Sequence, residues 1–194
     1  VRTEVYFLDE TNRLGVIKAV STSLLNGDIC IIPTDTVYGV VAIDSFKKSV
    51  KRIYDIKRRP EGKHFIRLIG SLSSVADYTK QEIPDSLKEY WPGPLTIIFK
   101  GIAGGAVALR YPDDIFLSLL FQAIEYRVLV APSANISGRD IIYSCDELIE
   151  TFDGEVSTIV CLKKGLQGKR ASTIVDISGE RWKILRQGAI HIDV

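Results

Sequence analysis

The chain lacks most of what would commit it to a special environment. Only three cysteines occur in 194 residues, Cys30, Cys145 and Cys161. They are far apart, odd in number and without a C-x-x-C pair, so their spacing predicts neither a disulfide framework nor a zinc site and suits a reducing cytosol. No apolar run approaches the ~18 residues needed to cross a bilayer. The opening VRTEVYFLDE has no apolar stretch of the signal-peptide kind. Excess charge is missing too: 25 basic residues against 24 acidic ones leave a net +1, so no whole-molecule field draws the protein onto nucleic acid or a membrane. The histidines His64 and His191 are isolated, and neither G-x-S-x-G nor H-E-x-x-H occurs, which argues against serine-hydrolase and zinc-protease chemistry. No acidic cluster has metal-ligand spacing. Methionine is absent altogether, position 1 included.

What is present is ordinary for a globular protein: 46% hydrophobic and 25% charged residues, enough for one full core, and the expectation is a single domain over residues 1–194. Short β-type runs alternate with helical patterns, without repeats or an obvious linker. The strand candidates are VYFL, DICIIP, VYGVVA, FIRLIG, LTIIFK, VALRY, RVLVA, STIVC, STIVDI and WKILRQ. So many strands with about four helices predict an α+β domain built on a large mixed sheet. The helices are expected over Leu14–Asn26, Ser45–Arg58, Asp113–Tyr126 and Cys145–Phe152. The first would bury Leu14, Ile17, Leu24 and Leu25 and stop at Gly27; the last opens on Ser144 with Glu147 three residues on, a capping-box pattern. In the second, Phe46, Val50 and Ile53 form an apolar stripe whose next position is Lys57, so a cation ends a core-facing row.

Polar residues gather where strands should end. PTDT interrupts a buried run, and Thr34 and Thr36, at i and i+2, point the same way if the segment is extended, with Tyr38 nearby. APSANISG follows RVLV and sets Ser133 and Asn135 in the same i, i+2 relation, beyond a strand end where open sheets place ligands. KRRPEGK supplies Lys57, Arg59 and Lys63, a cation cluster of the kind that holds a polyphosphate; taken alone, a solvated basic turn is the favoured reading. Arg110 ends VALRYP and has the fork to bind a carboxylate in bidentate fashion. Ser172, Thr173 and Arg186 repeat the theme. GIAGGA lacks the G-K-[ST] ending of a P-loop and reads as a hairpin turn; KKGLQGKR reads as an exposed loop.

In that order, PTDTVYG, IKRRPEGK, WPGPLT, PSANISG, STIVDI and LRQG resemble the YrdC-like threonylcarbamoyl-AMP synthase family, over about Asp28 to Ala189. The family's K-x-R and S-x-N pairs appear as Lys57 with Arg59 and Ser133 with Asn135. The resemblance implies a twisted mixed sheet with a deep concave basic pocket. It also implies a reaction in which threonine, bicarbonate and ATP, with magnesium accompanying the nucleotide, give threonylcarbamoyl-AMP and pyrophosphate for the modification of tRNA. By the same resemblance, Lys57, Arg59 and Lys63 would bind the triphosphate and carbamate, with Lys57 and Arg59 catalytic. Ser133, Asn135, Ser172 and Arg186 would surround the nucleotide, and Thr34, Tyr38 and Arg110 would form the threonine pocket. No protein metal site is implied, and the implied setting is cytoplasmic, with proteins that transfer the threonylcarbamoyl group to tRNA as partners. Two places depart from the family pattern: VVAIDS after YG, and KHF. The alternative is a non-catalytic member of the same fold that binds tRNA or double-stranded RNA.

Overall fold

The computed structural model describes residues 2–62 and 64–193. Its strands are β1 (Glu4–Leu8), β2 (Cys30–Ile32), β3 (Gly39–Ile43), β4 (Arg67–Leu68), β5 (Leu95–Lys100), β6 (Ala106–Arg110), β7 (Leu129–Val130), β8 (Thr158–Leu162), β9 (Thr173–Asp176) and β10 (Lys183–Arg186). Each coincides with one of the runs picked out above. The helices α1 (Arg13–Leu25), α2 (Lys47–Lys57), α4 (Ile115–Ala123) and α5 (Cys145–Phe152) were also expected; the four-residue α3 (Asp85–Lys88) and a 3₁₀ turn at Leu72–Asp77 are too short to show a period. No helix among the described residues is long and apolar enough to cross a membrane.

All ten strands join one sheet, in the order β1-β8-β2-β3-β7-β4-β6-β5-β9-β10. It is mixed: β8 pairs in parallel with β1 and β2, whereas β3 runs antiparallel to β2 and β7. Side chains alternate across it as a pleat requires. Ile31, Val40, Ala42, Ile159 and Cys161 face α2 and α5 through Ile53, Ile56, Leu148 and Phe152. Cys30, Ile32, Val41, Ile43 and Val160 face α1 and α4. Both faces of the central strands are therefore covered, which explains why β2 and β3 read as continuous apolar runs.

Two expectations are corrected. The buried stripe of α1 is Val16, Ile17, Val20, Ser21 and Leu24, while Leu14 is 74% exposed and Leu25 partly so. The helix has apolar residues on several sides, and packing against α4 selects among them. The cysteines are not all reduced either: Cys145 at the start of α5 and Cys161 in β8 form a disulfide, their Cα atoms 5.6 Å apart, leaving Cys30 as the buried free thiol. Spacing could not show this, because the pairing arises only when α5 packs on its neighbour β8.

The helix ends follow the expected chemistry. Gly27, just past α1, has φ +86°, and the Ser144 side chain accepts a hydrogen bond from the Glu147 N–H at 3.3 Å to cap α5. GIAGGA is the tight connection between the antiparallel β5 and β6, with Gly104 and Gly105 in the left-handed region.

Candidate active site

Topology brings the polar strand ends together. The turn 33–38 joins β2 to β3, and Gly39 bridges to Ser133 just beyond β7. Arg110 closes β6, two strands from β7 across β4. On the far side β5 pairs with β9, so Thr173 donates its N–H to the Pro94 carbonyl at 3.0 Å and Ser172 sits at the same sheet edge. The result is a cavity of about 60 Å³ lined by Thr34, Thr36, Val37, Tyr38, Gly39, Ile66, Arg110, Ala131, Ser133, Ala171, Ser172 and Arg186. It is small beside the ~300–1,000 Å³ of common ligand pockets, with room for a compact polar group and not for a whole nucleotide.

Arg110 forms the floor. It is 5% exposed and lies in a socket made by the PTDT turn. Its Nη1 donates to Thr36 Oγ1 at 2.6 Å and its Nη2 to Thr34 Oγ1 at 3.4 Å, while Asp35 Oδ1 lies 3.3 Å from Nη2. The threonine hydroxyls spend their own protons inside the turn. Thr34 donates to the Val37 carbonyl at 2.7 Å and accepts the Thr36 N–H at 3.1 Å, and the two hydroxyls are 3.0 Å apart. Burial pushes the Arg110 pKa down and the Asp35 charge opposes that shift. A guanidinium nonetheless stays charged, so the cavity ends on a desolvated cation.

Arg186 is the second cation. Its Nε donates to the Ser172 carbonyl at 2.9 Å and its Nη2 to Ser172 Oγ at 3.2 Å, and Ser172 Oγ is 2.8 Å from Thr96 Oγ1. Burial, and then the Arg110 charge, lower its pKa, so the two guanidinium groups feel each other across the cavity. Two cations against the single Asp35 carboxylate leave this small space net positive, which favours an anion.

Lys57 lies beside this cavity and does not line it. The stripe of α2 carries it into the interior, 2% exposed, under the loop after β7. Its ammonium donates to the Ser133 carbonyl at 2.6 Å, the Asn135 carbonyl at 2.5 Å and Asn135 Oδ1 at 3.4 Å. Ser133 Oγ donates to Asn135 Oδ1 at 2.6 Å, and Asn135 Nδ2 donates to the Arg139 carbonyl at 2.7 Å. The lysine of K-x-R and the S-x-N pair are therefore one unit, with Lys57 fixing the loop from beneath. Burial, helped by the Arg59 charge, brings the Lys57 pKa down to about 8.

Of the residues expected at a site, Thr34, Tyr38, Arg110, Ser133, Ser172 and Arg186 line the cavity, and Lys57 and Asn135 join it through Ser133. The phenol of Tyr38 turns away and accepts the Leu162 N–H at 2.9 Å, so only the body of this side chain faces the cavity. Arg59 stands apart, its guanidinium 5.4 Å from the centre of the Phe65 ring and Nη2 donating to the His64 carbonyl at 3.2 Å. Lys63 lies outside the described residues. Sequence reasoning missed the apolar walls Ile66, Ala131 and Ala171, which carry no chemical signal. It also assigned no part to Asp35, although its place between two marked threonines was a cue. Among the described residues no group of three or more His, Cys, Asp or Glu is placed to hold a metal.

Comparison with known proteins places the chain among relatives. The Sua5/YciO/YrdC family model, described as telomere recombination, matches residues 22–188. A Methanocaldococcus jannaschii protein provisionally named a threonylcarbamoyl-AMP synthase is 29% identical, over 97% of this chain and 93% of its own length. The threonylcarbamoyl-AMP synthase of Pyrococcus abyssi is 33% identical over 86% of this chain, which spans only about half, 52%, of that longer protein. The structure of P. abyssi Sua5 complexed with L-threonine superimposes with a TM-score of 0.80 at 28% identity, covering 96% of this chain and 57% of the other. The family model covers most of the chain, and it spans every strand end that builds the cavity: this protein belongs to the Sua5/YciO/YrdC family.

Proposed function

We propose that the chain has threonylcarbamoyl-AMP synthase activity. The observation that carries this reading is the buried Arg110 guanidinium at the closed end of a small cavity, faced by Arg186 and rimmed by the loop that Lys57 holds. Similarity to the P. abyssi synthase, and to a Sua5 structure containing threonine, supports it. The cavity suits the carboxylate end of an amino acid, and its size leaves the nucleotide on the open side, near Ser133, Asn135, Ser172 and Arg186.

In this proposal Arg110 takes the threonine carboxylate, in the pocket shaped by Thr34 and Tyr38. Bicarbonate takes up a proton and loses water to give carbon dioxide, which the neutral amine of threonine attacks to form a carbamate, the amine releasing a proton that balances the one consumed. A carbamate oxygen then attacks the α-phosphorus of ATP and the bond to pyrophosphate breaks, leaving threonylcarbamoyl-AMP. Every species except carbon dioxide is anionic, so the protein contributes position and positive charge rather than a covalent nucleophile. Lys57 supplies charge beneath the S-x-N loop, with Arg59 and Lys63 toward the triphosphate. Magnesium would arrive on the ATP phosphates, since among the described residues no carboxylate cage offers itself. Use of the product by a separate transferring protein on tRNA, and a cytoplasmic setting, belong to the same proposal.

The test is pyrophosphate release from ATP by the purified protein, with serine and valine as controls. Release that requires both threonine and bicarbonate is the expected result. Release indifferent to threonine, or none from folded protein, overturns the reading.

A further inference from the structure

The PTDT turn holds a charge that the proposed chemistry does not use. Asp35 lies between Thr34 and Thr36 at a bend of the chain, and its carboxylate meets the same Arg110 guanidinium that their hydroxyls bind. It lines a separate hollow with Pro94, Asp113, Asp114, Leu162, Leu166 and Lys169, not the cavity. The side chain is 8% exposed and neither carboxylate oxygen has a hydrogen-bond partner. Lys169 reaches the Asp35 backbone carbonyl, at 3.4 Å, and not the carboxylate. The near neighbour of opposite charge is Arg110, itself 7% exposed and with its Nε bare.

A buried carboxylate with one ion-pair contact and no hydrogen bond is costly unless its charge does something. Here it stands behind a guanidinium whose other edges are held by Thr36 and Thr34. The three contacts fix the plane of Arg110 from consecutive residues of one turn. They also leave Arg110, Arg186 and Asp35 with a net charge of one positive unit, which a single carboxylate balances.

We infer that Asp35 is a positioning residue for the amino-acid substrate: acting through Arg110, it orients the guanidinium and trims the site's charge to that of one carboxylate. This rests on the synthase reading above. Asp35 does not touch substrate, so its removal acts on threonine recognition and leaves ATP alone.

The experiment measures pyrophosphate release by wild type, Asp35→Asn and Asp35→Glu, with near-ultraviolet circular dichroism to verify folding. In Asp35→Asn the threonine KM is expected to rise about tenfold, with kcat within about threefold and the ATP KM unchanged, the pattern of lost ground-state positioning. Asp35→Glu recovers most of the loss. Sulfate, without effect on wild type, competes with threonine in Asp35→Asn because the site now carries an unbalanced second positive charge; a purely structural lesion creates no such anion affinity. If Asp35→Asn does not fold, Asp35→Ser takes its place in the same assays. An unchanged threonine KM, or a fall in kcat alone, overturns the inference while the synthase reading stands. A wild type without threonine-dependent release removes both.

Discussion

Lys57 ends the apolar row of α2 with a charge, and that placement has a measurable consequence. Its ammonium is desolvated and lies near the Arg59 charge, so its pKa falls to about 8. Depression of a lysine means that the proton is lost on the basic side of that value. Below it the ammonium holds the Ser133 and Asn135 carbonyls and supplies positive charge; above it both contributions go. The threonine amine must be neutral to react, so its own titration raises the rate as the pH climbs and opposes the loss of the Lys57 charge. We expect kcat/KM for ATP, at saturating threonine and bicarbonate, to fall by about tenfold per pH unit above a limb near 8. Lys57→Arg, whose guanidinium does not titrate, should be slower yet lack that limb. A wild-type rate flat to pH 10 would remove the Lys57 charge from the mechanism. This residue was legible in sequence because helical spacing alone set it in line with Ile53. The direction of the Tyr38 phenol was not, since its partner Leu162 is far along the chain in another strand.

Among elements, the strands were the easiest to read. β-branched and apolar runs bounded by Gly and Pro mark them well, whereas the face of α1 depends on a partner helix that no local pattern names. The approach of the segment after β10 to β9 was hidden for the same reason. Gly188 donates its N–H to Thr173 Oγ1 at 2.9 Å, and the next residue, Ala189, donates to the Ala171 carbonyl at 2.9 Å. A β-carbon at Gly188 would lie 2.1 Å from the Ala171 carbonyl oxygen and 2.6 Å from that of Ser172. Both are backbone atoms and cannot swing aside, so the strand end must move and Arg186 must loosen its hold on Ser172. Gly188→Ala is expected to cost about 1–3 kcal/mol, as overpacking does, and to raise the ATP KM more than the threonine KM, because Arg110 belongs to other elements. Thermal melting and steady-state kinetics check this; wild-type values for both would mean that the two segments part without consequence.

The molecule as a whole is organised by one sheet with helices on both faces, and its cross-link acts at that scale. Cys145 and Cys161 close a loop with a sequence separation of 16 residues, so the bond restricts the unfolded chain by about 3 kcal/mol in the chain-entropy account. The bond lies at the α5 and β8 end, remote in the strand order from β5, β9 and β10. Because β8 pairs directly with β1 and β2, a weakened α5–β8 unit is transmitted along the sheet instead of melting alone. For a chain of this size each kcal/mol moves Tm by ~2–4 °C, so reduction should lower Tm by roughly 6–12 °C while keeping a single transition. Calorimetry with and without reductant tests this, with Cys161→Ser as the variant that reductant no longer affects. Two separated transitions would mean that the sheet does not couple its halves. An unchanged Tm would mean that the native state tolerates the thiols as well as the bond. The groups of the candidate site lie on strand ends that this coupling holds in register, so the same reduced sample should lose activity only as it unfolds, not before.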